Sequence, residues 1–155
     1  TANIKFLMVG KDCDSNNAEL MGWINKYEHL KSNIVLLGNR DDVPVCLSGM
    51  DIFCLPSQTE CFPLCLGEAM AMALPCISTD VGDAAYLAGG TAILVPPQNE
   101  QAMAEGLLQI IAMSEQERSE MGVRGKNRVL SEFDIEKVGD RYNQIYLELL
   151  AGSRA

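Results

Sequence analysis

Short apolar runs, almost unbroken by polar residues, alternate along this chain with longer stretches of helical periodicity. The runs fall at residues 4–9, 34–37, 52–55, 76–78 and 92–95. Strands that are apolar on both faces belong in a parallel sheet covered by helices on each side. Crossovers between such strands are right-handed by default. The expected class is therefore α/β, Rossmann-like. Helices are expected at 19–30, 43–48, 63–73, 101–113, 114–130 and 134–150. The first carries Leu20, Trp23, Ile24, Tyr27 and Leu30 as an apolar stripe, and the last carries Ile135, Val138, Tyr142, Ile145, Tyr146 and Leu149. Such spacing assigns both stripes to a core. Ser114 with Glu117 three residues later is a capping box. In sheets of this kind ligands bind beyond the C-terminal ends of the strands. The loops after Val9, Leu37, Leu55 and Ser78 are accordingly expected around one crevice.

A length of 155 residues suits one domain, taken as 1–150 with a frayed tail at 151–155. No repeat, low-complexity tract or internal linker divides it. A net charge of -9 argues against binding a nucleic-acid backbone, although a local phosphate site needs only amides and one or two cations. Because no segment approaches 18 continuous apolar residues, no membrane span is expected. The opening TANIKFLMVG lacks a basic leader, so no signal peptide is expected. Several of the six cysteines lie in apolar runs and read as small buried hydrophobes. Cys61 and Cys65 have the wrong spacing for CxxC redox chemistry, and His29 is the one histidine available to a zinc set. This usage fits a reducing cytoplasm.

The densest chemical signal is PSQTECFPLCLGEAMAMALPCISTDVGD, residues 56–83. Ser57, Gln58, Thr59 and Glu60 follow a strand end and fall on the ligand rim. Pro63 opens a helix without losing a needed donor, which leaves the N–H groups of Leu64 and Cys65 directed at that rim. A helix start favours phosphate or another anion. Glu60 and Glu68 can flank a ligand laid across it. Glu68 is the one carboxylate between Phe62 and Ser78. Burial in a packed helix would cost it free energy without hydrogen-bond donors. Ribose hydroxyls would serve; so would a neighbouring backbone group or a buried water.

Asp80 and Asp83 suit tight turns, with Gly82 allowing either a close approach or a turn with positive φ. Together with a glutamate they could be imagined around a metal, but no spacing sets such a geometry. In GNRDDVP, residues 38–44, Asp41 or Asp42 can cap the next helix. Arg40 either faces the crevice or pairs with a nearby acid. His29 reads as a surface residue. The chain has no Ser-His-Asp spacing, no Walker lysine motif and no GxGxxG.

Taken together, GNRDDVP, DIFCLPSQ, ECFPLCLGEAMAMALPC and STDVGD resemble the donor-binding, C-terminal half of family 4 glycosyltransferases, which are retaining enzymes of GT-B architecture. The resemblance runs along essentially the whole chain and is most specific over residues 34–97. It implies that Glu68 holds the ribose of a nucleotide-sugar donor. Glu60, the residue it assigns to catalysis, would contact and orient hydroxyls of the transferred sugar. Phe62, Pro63, Leu64 and Cys65 would lie against sugar and diphosphate, with Ser57 and Thr59 on the rim. Gly38, Asn39 and Arg40 would lie beside the nucleobase. The implied reaction is transfer of a sugar from a nucleoside diphosphate with retention, in polysaccharide or glycolipid synthesis. No metal and no cofactor beyond the donor substrate is implied. The implied place of action is the cytoplasm or the inner face of the membrane, with membrane association through the missing N-terminal acceptor-binding domain of the same protein.

Departures from the family pattern are definite. Cys61, Ala73, Asp83 and Ala92 stand where glycines are usual, and Ala85 and Tyr86 lie where a glutamate is common. The family's first strand, its basic turn and its acceptor-binding domain have no counterpart here. Since that strand is central in the family, its absence would leave unpaired backbone groups unless altered pairing or a second chain covered them. The isolated chain is therefore expected to be inactive, as part of a longer product. Rival readings are a sugar-nucleotide epimerase, a phosphorylase, and a non-catalytic nucleotide-binding or assembly domain. A response-regulator-like domain fails because Pro56 and Ser57 end the strand that should carry a phospho-acceptor aspartate.

Overall fold

A computed structural model describes residues 4–152. The chain resolves into two compact units, divided between Met50 and Asp51.

The first unit contains β1 (Phe6–Val9), α1 (Ala18–Lys26), a 3-10 turn (Glu28–Asn33), β2 (Ile34–Gly38) and α2 (Val43–Ser48). Strands β1 and β2 pair in parallel, Phe6 opposite Ile34 and Met8 opposite Leu36. Beyond their ends the backbones stay joined. Gly10 donates its N–H to the Gly38 carbonyl at 2.9 Å, and Gly38 donates to Cys13 at 2.9 Å. Asn17 caps α1 by accepting from the N–H groups of Glu19 and Leu20, both at 3.1 Å. The helix is shorter than its periodicity suggests. It stops at Lys26, because Tyr27 leaves the helical region with φ -116° and ψ 58°. Of the expected stripe only Ile24 is buried; Trp23 is 63% exposed. Periodicity marks a face that could be buried, and here the face lacks a covering partner among the described residues.

The second unit contains β3 (Phe53–Leu55), α3 (Leu64–Ala71), β4 (Cys76–Thr79), α4 (Ala84–Ala88), β5 (Ile93–Val95), α5 (Glu100–Ala112), α6 (Glu115–Glu132) and α7 (Ile135–Gly152). Its sheet has the order β3-β4-β5, all parallel. Strand β4 is central and buried along its whole length. Ile77 from it packs with Val95, Ile110 and Met121. Helices α5 and α6 thus meet the sheet through one core.

Helix α3 lies against α6. Gly122 of α6 permits this approach, because a Cβ there would collide with the Ala73 carbonyl. Ala73 itself has φ +60°, in the left-handed region. A family glycine at this place is understandable on that ground: it reverses the chain after the helix without steric strain.

Strands and helices appear in the expected order. Helix α4 is an addition, compressed into five residues and closed by Gly89 at φ 52°. The capping box at Ser114 forms, with both reciprocal hydrogen bonds present. Two expectations of burial need correction. On α7, the stripe assigned to the core faces solvent: Ile135 is 81% exposed, Tyr142 59%, and Ile145, Tyr146 and Leu149 are exposed as well. Helix α3 is buried on only part of its surface, through Leu66, Ala69 and Met70. As for the tail, Ala151 and Gly152 continue α7, and residues 153–155 lie outside the described residues. No helix among the described residues is long and apolar enough to cross a membrane.

Candidate functional site

The site is built at the C-terminal ends of β3 and β4. Thr79, buried at the end of β4, donates its hydroxyl to the Ser57 carbonyl at 2.6 Å. That bond holds the chain leaving β3. Ser57 in turn donates its hydroxyl to Glu60 Oε1 at 2.7 Å. One oxygen of the half-buried Glu60 carboxylate is thereby engaged from below, and the carboxylate is oriented by a short side-chain bond. Glu60 Oε2 takes no hydrogen bond from the described residues.

The turn after β4 braces the same loop from the other side. Asp83 donates its N–H to the Cys61 carbonyl at 2.9 Å. Gly82 sits at φ +54°, and a Cβ added there would fall within 2.4 Å of the Glu60 and Cys61 carbonyl oxygens. Any side chain at 82 would need a rare backbone conformation and would strike that backbone. The positive φ expected at Gly82 is present.

Pro63 is buried and occupies the N-cap position of α3, one residue outside the helix. Its carbonyl accepts from the N–H of Leu66 at 3.0 Å and of Gly67 at 3.4 Å. No side chain caps this helix. The N–H groups of Leu64 and Cys65 thus lack an intrahelical acceptor, as first-turn donors do. Leu64 is 69% exposed. An anion placed there would meet two free donors and the positive end of the peptide dipoles.

Cys65 reports the electrostatics. Burial pushes its thiol up, and the nearby carboxylates of Glu60 and Glu68 push it the same way. The two glutamates therefore act on one spot at the start of α3. Glu68 is exposed, and its carboxylate accepts no hydrogen bond among the described residues. This corrects the expectation of a carboxylate in a packed helix. Glu68 needs no compensating donor to be stable, because water solvates it. Thr59 and Gln58 are exposed on the rim.

Gly38, Asn39 and Arg40 belong to the first unit. Gly38 is buried with φ +64°, and Asn39 is exposed. Arg40 binds Asp42 through two parallel bonds, Nε to Oδ1 at 2.8 Å and Nη2 to Oδ2 at 2.7 Å. The pair raises the arginine pKa and lowers that of the aspartate. Of the two readings of Arg40, the structure takes the ion pair. Asp42 consequently serves as N-cap of α2 by position only, with no side-chain cap bond. A shallow hollow of about 410 Å³ is bounded by Asn39, Arg40, Asp41 and Asp42.

In the second unit a hollow of about 270 Å³ is bounded by Asp51, Ala73, Leu74, Pro75, Glu115, Arg118 and Ser119. It lies where β4 begins, at the wrong end of the sheet for a ligand of this fold class. At the start of α3, Leu64 and Glu68 are exposed and Glu60 is half-buried. The close approach expected at Gly82 is present, with the Glu60 and Cys61 backbone as its partner, whereas neither that partner nor the role of Thr79 is legible in the sequence. A threonine ending an apolar strand is the only local signal of that role.

Parallel strands alternating with helices, and polar groups gathered past the strand ends, define a Rossmann-like ligand-binding chain. The chain belongs to the family described as glycosyl transferases group 1, whose model matches residues 1–113. N-acetyl-alpha-D-glucosaminyl L-malate synthase of Bacillus anthracis is 33% identical over 124 residues, 79% of this chain and 32% of that protein. Sucrose-phosphate synthase from Thermosynechococcus elongatus has a similar structure, with TM-score 0.80 and 30% identity over 94% of this chain and 38% of that one. Anabaena HepE in complex with UDP shares the fold with TM-score 0.80 at 23% identity, over 96% of this chain and 41% of that one. The chain thus spans about a third of the length of the Bacillus anthracis protein it matches.

Proposed function

We propose that this chain is the donor-binding part of a longer glycosyltransferase, which moves a sugar from a nucleoside diphosphate to an acceptor with retention at the anomeric carbon. The observation that carries this reading is the uncapped start of α3, with Glu60 held by Ser57 in the loop just before it and Glu68 exposed one turn into the helix. A diphosphate fits the free N–H groups of Leu64 and Cys65, while hydroxyl groups fit the carboxylates. Glu68, exposed and without a partner among the described residues, takes the ribose hydroxyls. Glu60, with one oxygen fixed by Ser57, offers the other to the sugar. The UDP bound to the structurally similar HepE supports a nucleotide in this kind of fold.

Chemically, breaking the bond between sugar and diphosphate builds negative charge on the leaving phosphate. Fixed amides at a helix start stabilise that charge more as it develops. Glu60 acts as an orienting acceptor for sugar hydroxyls. The Ser57 bond holds it in one direction, so little reorganisation is needed on binding. No metal or further cofactor takes part in this scheme. Polysaccharide or glycolipid assembly is the proposed setting, on the cytoplasmic side of a membrane. A capsular polysaccharide biosynthesis glycosyltransferase of Staphylococcus aureus, 26% identical over 97% of this chain, fits that setting.

The test is Glu68→Ala in the full-length parent. Because Glu68 is exposed, its truncation should change stability by no more than about 0.5 kcal/mol. Donor affinity should fall on the order of tenfold, the size of one lost charge-assisted hydrogen bond. Titration calorimetry against a panel of nucleotide sugars reads it. Unaltered donor affinity in the mutant removes Glu68 from the site, and a parent that binds no donor at all removes the whole reading.

A further inference from the structure

The loop carrying Glu60 is fixed at Ser57 and Cys61 by hydrogen bonds, but Phe62 is fixed by an aromatic cluster distant in sequence. Its ring meets that of Phe133, with centroids 5.8 Å apart and planes inclined at 59°. Phe133 meets Tyr86 edge to face at 5.6 Å. Arg128 lies over both partners, its guanidinium 5.6 Å from the Phe133 centroid and 6.0 Å from that of Tyr86.

Arg128 is itself anchored. Its Nε donates to the Leu87 carbonyl at 2.8 Å, and its Nη2 donates to the Tyr86 carbonyl. These are carbonyls near the end of α4, where a cation is favoured. Phe133 stands at the C-cap of α6, immediately before α7 begins. Three pieces of chain thus converge on the Phe133 ring at the α6–α7 junction: the Glu60–Leu64 loop, α4 and α6.

We infer that Phe133 is a positioning residue for the donor site, acting through Phe62 on Glu60 and on the first amides of α3. The inference rests on the reading of that surface as a donor site. Phe62 lies two residues from Glu60 and adjoins Pro63, the N-cap of α3. A shift of its ring therefore moves the carboxylate and the helix start relative to one another. Offset and edge-on aromatic contacts are directional, so they fix orientation as well as contact. The direct ring contact of Phe133 with the site loop is the one with Phe62.

The experiment uses the full-length parent with UDP-sugars and other nucleotide sugars as probes. Wild-type binding and turnover of a donor are established first; their absence overturns the donor-site reading itself, and with it this inference. Phe133→Ala should then lower kcat/KM for the donor on the order of tenfold, as small misplacements of reacting groups do. The KM for the acceptor should be unaffected, and any loss of stability from removing the packed ring is read separately from the melting temperature. Phe133→Tyr, which keeps the ring, should restore most of the loss. In a double-mutant cycle, Phe62→Ala with Phe133→Ala should be no worse than Phe62→Ala alone. If the alanine variant does not fold, Phe133→Leu keeps apolar volume without a ring and should show the same donor-specific loss. Wild-type donor kinetics in the folded alanine or leucine variant, or losses at 62 and 133 that multiply independently, overturn the inference.

Discussion

Ala73 shows most simply how a single residue records the fold. It sits at φ +60°, where a Cβ is strained and glycine is at ease. The sequence reading noticed that Ala73 occupies a glycine position of the family, but not why glycine belongs there. The reason is geometric. The chain must reverse between α3 and Pro75 while its carbonyl lies against Gly122. Ala73→Gly should therefore stabilise the chain by about 1 kcal/mol, the strain relieved exceeding the added freedom of the unfolded state. Urea denaturation monitored by circular dichroism measures it, and an unchanged or lowered midpoint contradicts the assigned strain. Cysteines divide by position in the same way. Burial pushes Cys54 up to about 11 and Cys76 to about 12, as suits thiols within apolar strands. Cys61 lies exposed on the site loop. Composition could suggest buried cysteines, but it could not say which one escaped.

At the scale of elements, local signals were most legible where the partner is close in sequence. The capping box at Ser114 needs only a glutamate three residues away, and both of its bonds form. Hydrogen bonds from the Ser114 backbone and hydroxyl hold the Glu117 carboxyl below its ordinary value near 4.5. A carboxylate whose folded pKa is lowered stabilises the fold above its unfolded pKa. That contribution is lost as pH falls below about 4.5 through the folded value. Wild type should consequently lose more stability between pH 7 and acid than Glu117→Gln does. Urea midpoints of the two proteins across that range check the sign; equal losses leave the box without a pH-dependent share. Helices α1 and α7 teach the opposite lesson. Both show apolar spacing, yet α1 buries only Ile24 and α7 leaves its aromatic stripe in solvent. Spacing gives the direction of a face, whereas burial requires something placed opposite it.

For the whole molecule, the parallel sheets and the site at their ends agree with a chain that spans only part of its relatives. On the proposed reading, the two carboxylates and the open helix start form only part of a donor site, and the exposed groups among them exchange water freely. A donor held there would be neither enclosed nor aligned with an acceptor. The isolated chain should therefore show no sugar transfer under conditions where the full-length parent is active. Parallel assays with a shared donor panel test this, and comparable turnover by the isolated chain would contradict it. What the sequence by itself determined was periodic and local: the alternation of strands with helices, the capping box, the family motif across residues 56–83. Such features depend on neighbours within a few residues, so a linear reading contains their causes. Only the tertiary structure decided that Glu68 lies in solvent, that Gly82 backs onto Glu60, and that Phe62 meets Phe133. Burial and contact are relations between distant segments, fixed by packing after the chain has closed on itself.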